Sequence, residues 1–227
     1  MVPKCGEVRV RHWAHKGHRQ CDLWWENETA WHRAWKNLFP IDWQEVIHVA
    51  GDGELHIADV KTSSGWVLEF QHSYLKPEER RSREAFYPKL VWVVDGARRK
   101  RDGAQLLRAW KDGVGVVRRS PLRKPFPNEC ALVREWGGSG SRTFIDLGEP
   151  EALWWLIASA SGTAYLHPVA RIDFVEWHRS PASERAKRFD AFVNELPKLI
   201  DAYESRLART STSGALRPRQ HRRHFRL

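Results

Sequence analysis

Residues 54–71 read Glu-Leu-His-Ile-Ala-Asp-Val-Lys-Thr-Ser-Ser-Gly-Trp-Val-Leu-Glu-Phe-Gln. Two stretches of strand character flank a Ser63-Ser64-Gly65 turn. The first carries Asp59 and Lys61 at its end, and the second ends on Glu69 and Gln71. A hairpin brings Asp59 and Glu69 to the same edge of a sheet, where two carboxylates repel unless a cation sits between them. Hard oxygen ligands with several water positions favour Mg²⁺ or Mn²⁺ over Zn²⁺. Such an ion polarises a phosphoryl oxygen and acidifies a bound water, which is the chemistry of phosphodiester hydrolysis. Gln71 shares a strand face with Glu69, so its amide points toward the same place. A glutamine orients a water or a phosphate oxygen but does not neutralise charge, and Lys61 is the candidate for that charge. His56 and His72 fall on the opposite strand faces from Asp59 and Gln71, so neither is expected to ligate directly. Spacing alone is equally compatible with two strand-end charges that face solvent.

The elements that must position these residues follow from periodicity. Residues 26–38 predict a helix, with Trp31, Ala34, Trp35 and Leu38 at helical spacing and Pro40 as the stop. Glu28, His32 and Lys36 then share its polar face. Strands are expected at 43–49, 54–61 and 66–71, a helix from Pro77 to about Phe86, and a strand at 90–94. The order is α-β-β-β-α-β, a helix packed on a small mixed sheet. Arg83 and Tyr87 lie one turn apart on the second helix and face the sheet together. Beyond residue 100 the pattern predicts a helix at 103–111, short strands near 114–118, 130–135 and 143–147, a hairpin over 152–158 and 163–169, and a long helix over 182–207. Pro197 is expected to kink that last helix or to lie near its surface.

Composition bounds the rest. With 41% hydrophobic and 29% charged residues, the 227-residue chain falls in the soluble globular class and is long enough to bury a sizeable core. No apolar run reaches the roughly 18 residues of a membrane span, no signal peptide is visible, and three cysteines suit a reducing cytoplasm. Net charge is +10, and residues 205–227 hold seven arginines and no acid, leaving +3 for the remainder. Such a tail suits a polyanion, nucleic acid above all, and no membrane partner is expected. Thirteen tryptophans are expected mainly in packing, with one or two able to stack bases. Cys5, His12, His15, His18 and Cys21 raise a zinc reading, for which a shortened or degenerate knuckle is the preferred account.

The run HIADVKTSSGWVLEFQHSYLKPEERRSREAFYPKLVWVVDG (56–96), with HWAH at 12–15 and ETAWHRAWKNLFP at 28–40, resembles the competence protein CoiA-like family of the PD-(D/E)XK nuclease superfamily. The resemblance is dense over 12–96 and faint beyond 100. It implies an α-β-β-β-α-β nuclease core and Mg²⁺-dependent cleavage of DNA in uptake, recombination or defence. It places the metal on Asp59 and Glu69, and catalytic roles on Gln71 and Glu28; His32, on the helix face of Glu28, is a candidate catalytic proton shuttle or phosphate contact, or else a hydrogen-bond partner of Glu28. Arg83, Tyr87, Lys36 and Lys61 become candidate substrate contacts, with Arg83 as a phosphate clamp. The sequence departs from the commonest superfamily pattern in holding Gln rather than Lys at 71, which also fits a nucleic-acid-binding module that has lost cleavage. The expected organisation is an N-terminal segment (1–25), a nuclease-like core (26–112), a C-terminal α+β extension (113–208) and a basic disordered tail (209–227).

Overall fold

A computed structural model of the chain describes residues 2–4, 12–14, 28–49, 55–126, 130–179 and 184–214. It is α/β, with a large mixed sheet and six helices among the described residues. Val2–Lys4 (β1) and His12–Ala14 (β2) pair separately and antiparallel. The main sheet begins with Gln44–Val49 (β3), Leu55–Lys61 (β4), Val67–Gln71 (β5) and Leu90–Asp95 (β6). Val114–Gly115 (β7), Arg123–Lys124 (β8), Arg142–Asp146 (β9), Ala152–Ala158 (β10) and Ala164–Ala170 (β11) complete it. The strand order is β3-β4-β5-β6-β9-β10-β11-β8-β7. β5, β6 and β9 run parallel to one another, and every other neighbouring pair is antiparallel.

Helices cover both faces. Ala30–Lys36 (α1), Arg171–Arg179 (α5) and Glu184–Gly214 (α6) lie on one side, where Trp35, Phe70, Phe144, Phe174, Phe189 and Ile200 form a core. Pro77–Phe86 (α2), Asp102–Asp112 (α3) and Ala131–Trp136 (α4) lie on the other, over Trp92, Leu106, Leu132 and Trp136. The central strands are buried on both faces, and alternation assigns their side chains. In β6, Val91 and Val93 join the first core while Leu90, Trp92 and Val94 join the second.

The first six elements after residue 28 run α1-β3-β4-β5-α2-β6, with a 3₁₀ turn at Ile41–Trp43 between α1 and β3. The α-β-β-β-α-β order expected from periodicity is thus the observed one. Helix α1 is shorter than the predicted 26–38. Thr29 caps it, its hydroxyl accepting from His32 N at 3.1 Å, so Glu28 precedes the helix rather than riding on it. Residues 131–136 form a helix where a strand was expected. Leu132, Val133 and Trp136 are buried at helical spacing, and a short apolar run does not distinguish the two states. Helix α6 holds half-buried Pro197 inside it and continues to Gly214, past the point where the chain was expected to lose structure. The sheet also crosses the expected boundary at 112/113, because β9 pairs in parallel with β6 from Val91↔Arg142 to Asp95↔Asp146. No helix among the described residues is long and apolar enough to cross a membrane.

Candidate functional site

Helix α1 is fixed to the sheet from below. Its two tryptophans donate their indole N–H groups to Oδ2 of Asp146, Trp31 at 3.0 Å and Trp35 at 2.8 Å. Trp35 is fully buried and stacks on Phe70 at 5.6 Å between ring centroids. With both indoles pinned, the helix has one rotation, and that rotation turns His32 toward β4.

His32 Nε2 lies 2.8 Å from Asp59 Oδ2. The contact is off the direction of the ring N–H, so it is a close polar contact rather than an aligned hydrogen bond. The same Asp59 oxygen accepts the backbone N–H of Phe70 at 2.8 Å. That N–H is available because β4 and β5 pair only at Val60↔Leu68 and Lys61↔Val67 and then part. The irregularity has a local cause. Glu45, opposite Asp59 on β3, holds φ at +53°, and the β3–β4 ladder skips this pair. On β4 itself, Ala58 packs with the core under α2 and Val60 with the core under α1, although strand alternation would put both on one side. Asp59 stands at the slip, and its carboxylate occupies the gap between the parting strands. Its other oxygen, Oδ1, takes no hydrogen bond from the described residues, and the side chain is 19% exposed.

Glu69 follows Leu68, beyond the last β4–β5 pair, and its side chain leaves on the α2 side. Its Oε2 accepts from Arg83 Nη1 at 3.2 Å, and Arg83 Nη2 also holds Glu79 at 2.6 Å. Arg83 and Glu69 are both buried, and the guanidinium lies over Trp92. Arg83, expected as a phosphate clamp, is here the buried partner of two carboxylates. The repulsion that hairpin spacing assigned to a shared cation is relieved separately, by His32 and Phe70 N–H at Asp59 and by Arg83 at Glu69. Gln71 is buried on the α2 side, its amide donating to Ser73 O and Oγ at 3.3 Å. Tyr87 is buried against Phe86 and His48 rather than open to a substrate.

The polar face predicted for α1 divides. Lys36 is buried and bridges Glu28 at 2.6 Å and Glu45 at 2.8 Å, so it ties β3 to α1 and is not presented to a ligand. Burial works against the Glu28 carboxylate, but hydrogen bonds from Lys36 and Arg33 outweigh it and hold its pKa below the usual value. Burial likewise opposes charge on Lys36, and the hydrogen bonds to Glu28 and Glu45 outweigh it and raise its pKa. His32 therefore pairs with Asp59, not with Glu28. Lys61 pairs in register with Val67, which belongs to the α2-side core, and its charge acts on His48. Together with burial, that charge lowers the His48 pKa. His56 also lies on that side, its ring 4.3 Å from Phe86. Of the residues in the zinc reading, Cys5, His15, His18 and Cys21 lie outside the described residues, and His12 is the first residue of β2. Arg217, Arg219, Arg222, Arg223 and Arg226 of the tail lie outside them as well.

A divalent ion that keeps most of its waters needs only one or two carboxylates. The described donors fit that requirement in part. Asp59 presents one open oxygen, whereas Glu69 lies on the α2 side with an oxygen committed to Arg83. Among the described residues no cluster of three or more histidine, cysteine or acidic side chains forms a ready-made cage.

A residue pair that spacing did not join lies two positions further along. His72 Nδ1 is hydrogen-bonded to Asp95 Oδ2 at 2.7 Å, linking the end of β5 to the end of β6. The signals were a polar residue closing each of two apolar strands, and parallel pairing of those strands brings them together. The chain matches no protein-family model, no curated protein and no solved structure.

Proposed function

We propose that this chain is a metal-dependent deoxyribonuclease built on a PD-(D/E)XK-type core, as the resemblance over residues 12–96 implies. The observation that carries the reading is the state of Asp59. It is held on one oxygen by His32 and Phe70 N–H, open on the other, and placed where two antiparallel strands part. Mg²⁺ or Mn²⁺ bound there supplies charge stabilisation at a phosphoryl oxygen and a more acidic water. Asp59 would hold that ion through its open carboxylate oxygen, and Glu69 would join it only on leaving Arg83 and turning from the α2 side. Gln71, whose bonds to Ser73 are long, turns its amide to a water or a phosphate oxygen. Glu28 and Lys36 keep α1 seated on β3, and His32 keeps Asp59 oriented. Arg206 and Arg209, exposed on α6, continue into the arginines of the tail and suit a phosphate backbone.

The test is to incubate the full chain with single- and double-stranded DNA and RNA in Mg²⁺, in Mn²⁺ and in EDTA. Metal-dependent cleavage of DNA that disappears in both Asp59→Ala and Glu69→Ala supports the reading. Cleavage that survives both substitutions overturns it.

A second reading has its own observation. A buried glutamate already neutralised by Arg83, beside a Gln at the position where a Lys is commonest, suits a nucleic-acid-binding module without cleavage. That module would bind DNA equally well in Mg²⁺ and in EDTA and leave the strand intact.

A further inference from the structure

The ends of the parallel strands β5, β6 and β9 form one mouth of the sheet, the place where open α/β sheets put their ligand crevices. His72 stands there on the α1 side, and its position is fixed from three directions. Its Nδ1 meets Asp95 Oδ2 at 2.7 Å. Its backbone carbonyl accepts from Arg98 Nη1 at 3.0 Å. Its ring lies 6.2 Å from that of Trp31, which is itself tied to Asp146. Asp95 is buried, and its second oxygen accepts Ala97 N–H at 2.9 Å, so the carboxylate does not turn freely. The His72 side chain is 36% exposed. A carboxylate on Nδ1 sets the tautomer and leaves Nε2 facing outward, the arrangement by which a buried aspartate prepares an imidazole for proton transfer.

The placement relative to Asp59 matters. Asp59 accepts the Phe70 N–H at 2.8 Å, and His72 follows Phe70 by two residues, just past the end of β5 and beside Trp31 on the α1 side. Both groups are thereby tied to the same end of β5 and to the same face of the sheet.

We propose that His72, held by Asp95, protonates the leaving oxygen when a phosphodiester is cleaved at Asp59. The proposal rests on the hydrolase reading above. A water oxygen forms the new bond to phosphorus, and the bond from phosphorus to the sugar oxygen breaks with its electron pair on that oxygen. The Nε2 proton of the imidazolium passes to it, giving a free hydroxyl. The proton shed by the water returns through solvent to Nε2. Asp95 is a positioning residue throughout and keeps its charge.

The test compares two substrates with the full chain in Mg²⁺, namely a DNA oligonucleotide and bis(p-nitrophenyl) phosphate, whose leaving phenolate needs no proton. His72→Gln and Asp95→Asn are expected to slow DNA cleavage by about 100-fold or more and to change the p-nitrophenyl reaction by no more than about 3-fold. The second substrate therefore also reports that each variant is folded. Nitrogen NMR of the imidazole is expected to show a hydrogen-bonded Nδ1–H in the native chain and a shifted Nδ1 signal in Asp95→Asn. Equal losses on both substrates would make the pair structural and overturn the proposal, as would unchanged DNA cleavage in His72→Gln. A native chain that cleaves neither substrate removes the hydrolase reading and the proton donor with it.

Discussion

Two aspartates near helix α1 have opposite fates. Asp146 is 1% exposed and accepts four donors: the indoles of Trp31 and Trp35 on one oxygen, and Arg171 at 2.9 Å and Gly148 N at 2.9 Å on the other. Asp59 accepts on one oxygen only and keeps part of its surface in solvent. A carboxylate whose lone pairs are all used stabilises a fold and has nothing left for a ligand. One with an oxygen unbonded by its neighbours can take an ion or a proton. The two are also linked, since Asp146 sets the rotation of α1 and α1 carries His32 to Asp59. The closed site thereby orients the open one.

The contrast is broken most directly by removing each carboxylate. Asp146→Ala is expected to cost about 3–5 kcal/mol, because it strands the buried indole of Trp35, the half-buried indole of Trp31 and the arginine that lies over Trp35. A urea titration reads this as a lowered midpoint, and a loss below about 1 kcal/mol would erase the distinction. The same measurement on Asp59→Ala is expected to show about 1 kcal/mol or less, while DNA cleavage falls by at least about 100-fold.

The closed half makes a second prediction, through acid. His178 on α5 is fully buried against Phe174 and Phe189, with Nδ1 on Phe174 O. Burial pushes its pKa down to about 4, although Phe174 O and the charge of Asp190 oppose the shift. A histidine lowered in the folded state stabilises fully above its unfolded value near 6.5 and loses that contribution as pH falls toward 4. Stability measured between pH 7 and pH 4 should therefore decline by up to about 3 kcal/mol through this group. His178→Gln should flatten that limb, and an unchanged limb would assign it elsewhere.

The smallest effect belongs to the rim of the open half. The lowered pKa of Glu28 makes its contribution present above its unfolded value and lost as pH falls through the folded one. The raised pKa of Lys36 makes its contribution present below the unfolded lysine value and lost as pH rises through the folded one. Between about pH 5 and pH 10 the pair should be constant. Glu28→Gln should cost about 1 kcal/mol or less at pH 7, since Glu28 is one-third exposed. A larger loss would move Glu28 into the structural class with Asp146.

Much of the fold was legible because its determinants are local. Alternation and apolar runs marked β3 to β6, Pro77 opened α2, and the six-element order followed from them. Where two periodicities fit the same few residues, as at Leu132 and Val133, sequence could not choose, and the tertiary contacts of Trp136 did. Helix α5, which buries Phe174 and His178, carried no clear signal. Asp59, Glu69 and Gln71 were visible as a hairpin pattern. Their partners were not. Nothing in the spacing says that Arg83 neutralises Glu69, that His32 reaches Asp59 rather than Glu28, or that Lys36 is buried.

What the chain of residues determined alone was which elements form, in what order, and which side chains of those elements are acids, bases and aromatics. Those properties depend on neighbours within a few positions, where strand and helix periods act. Only the tertiary structure decided that a strand slip at Asp59 turns it toward α1 while Glu69 turns toward α2. It alone brought Asp146 under two indoles and Asp95 against His72. These contacts join residues far apart in sequence, and their geometry depends on how whole strands pair and how helices seat on them, which no local pattern encodes.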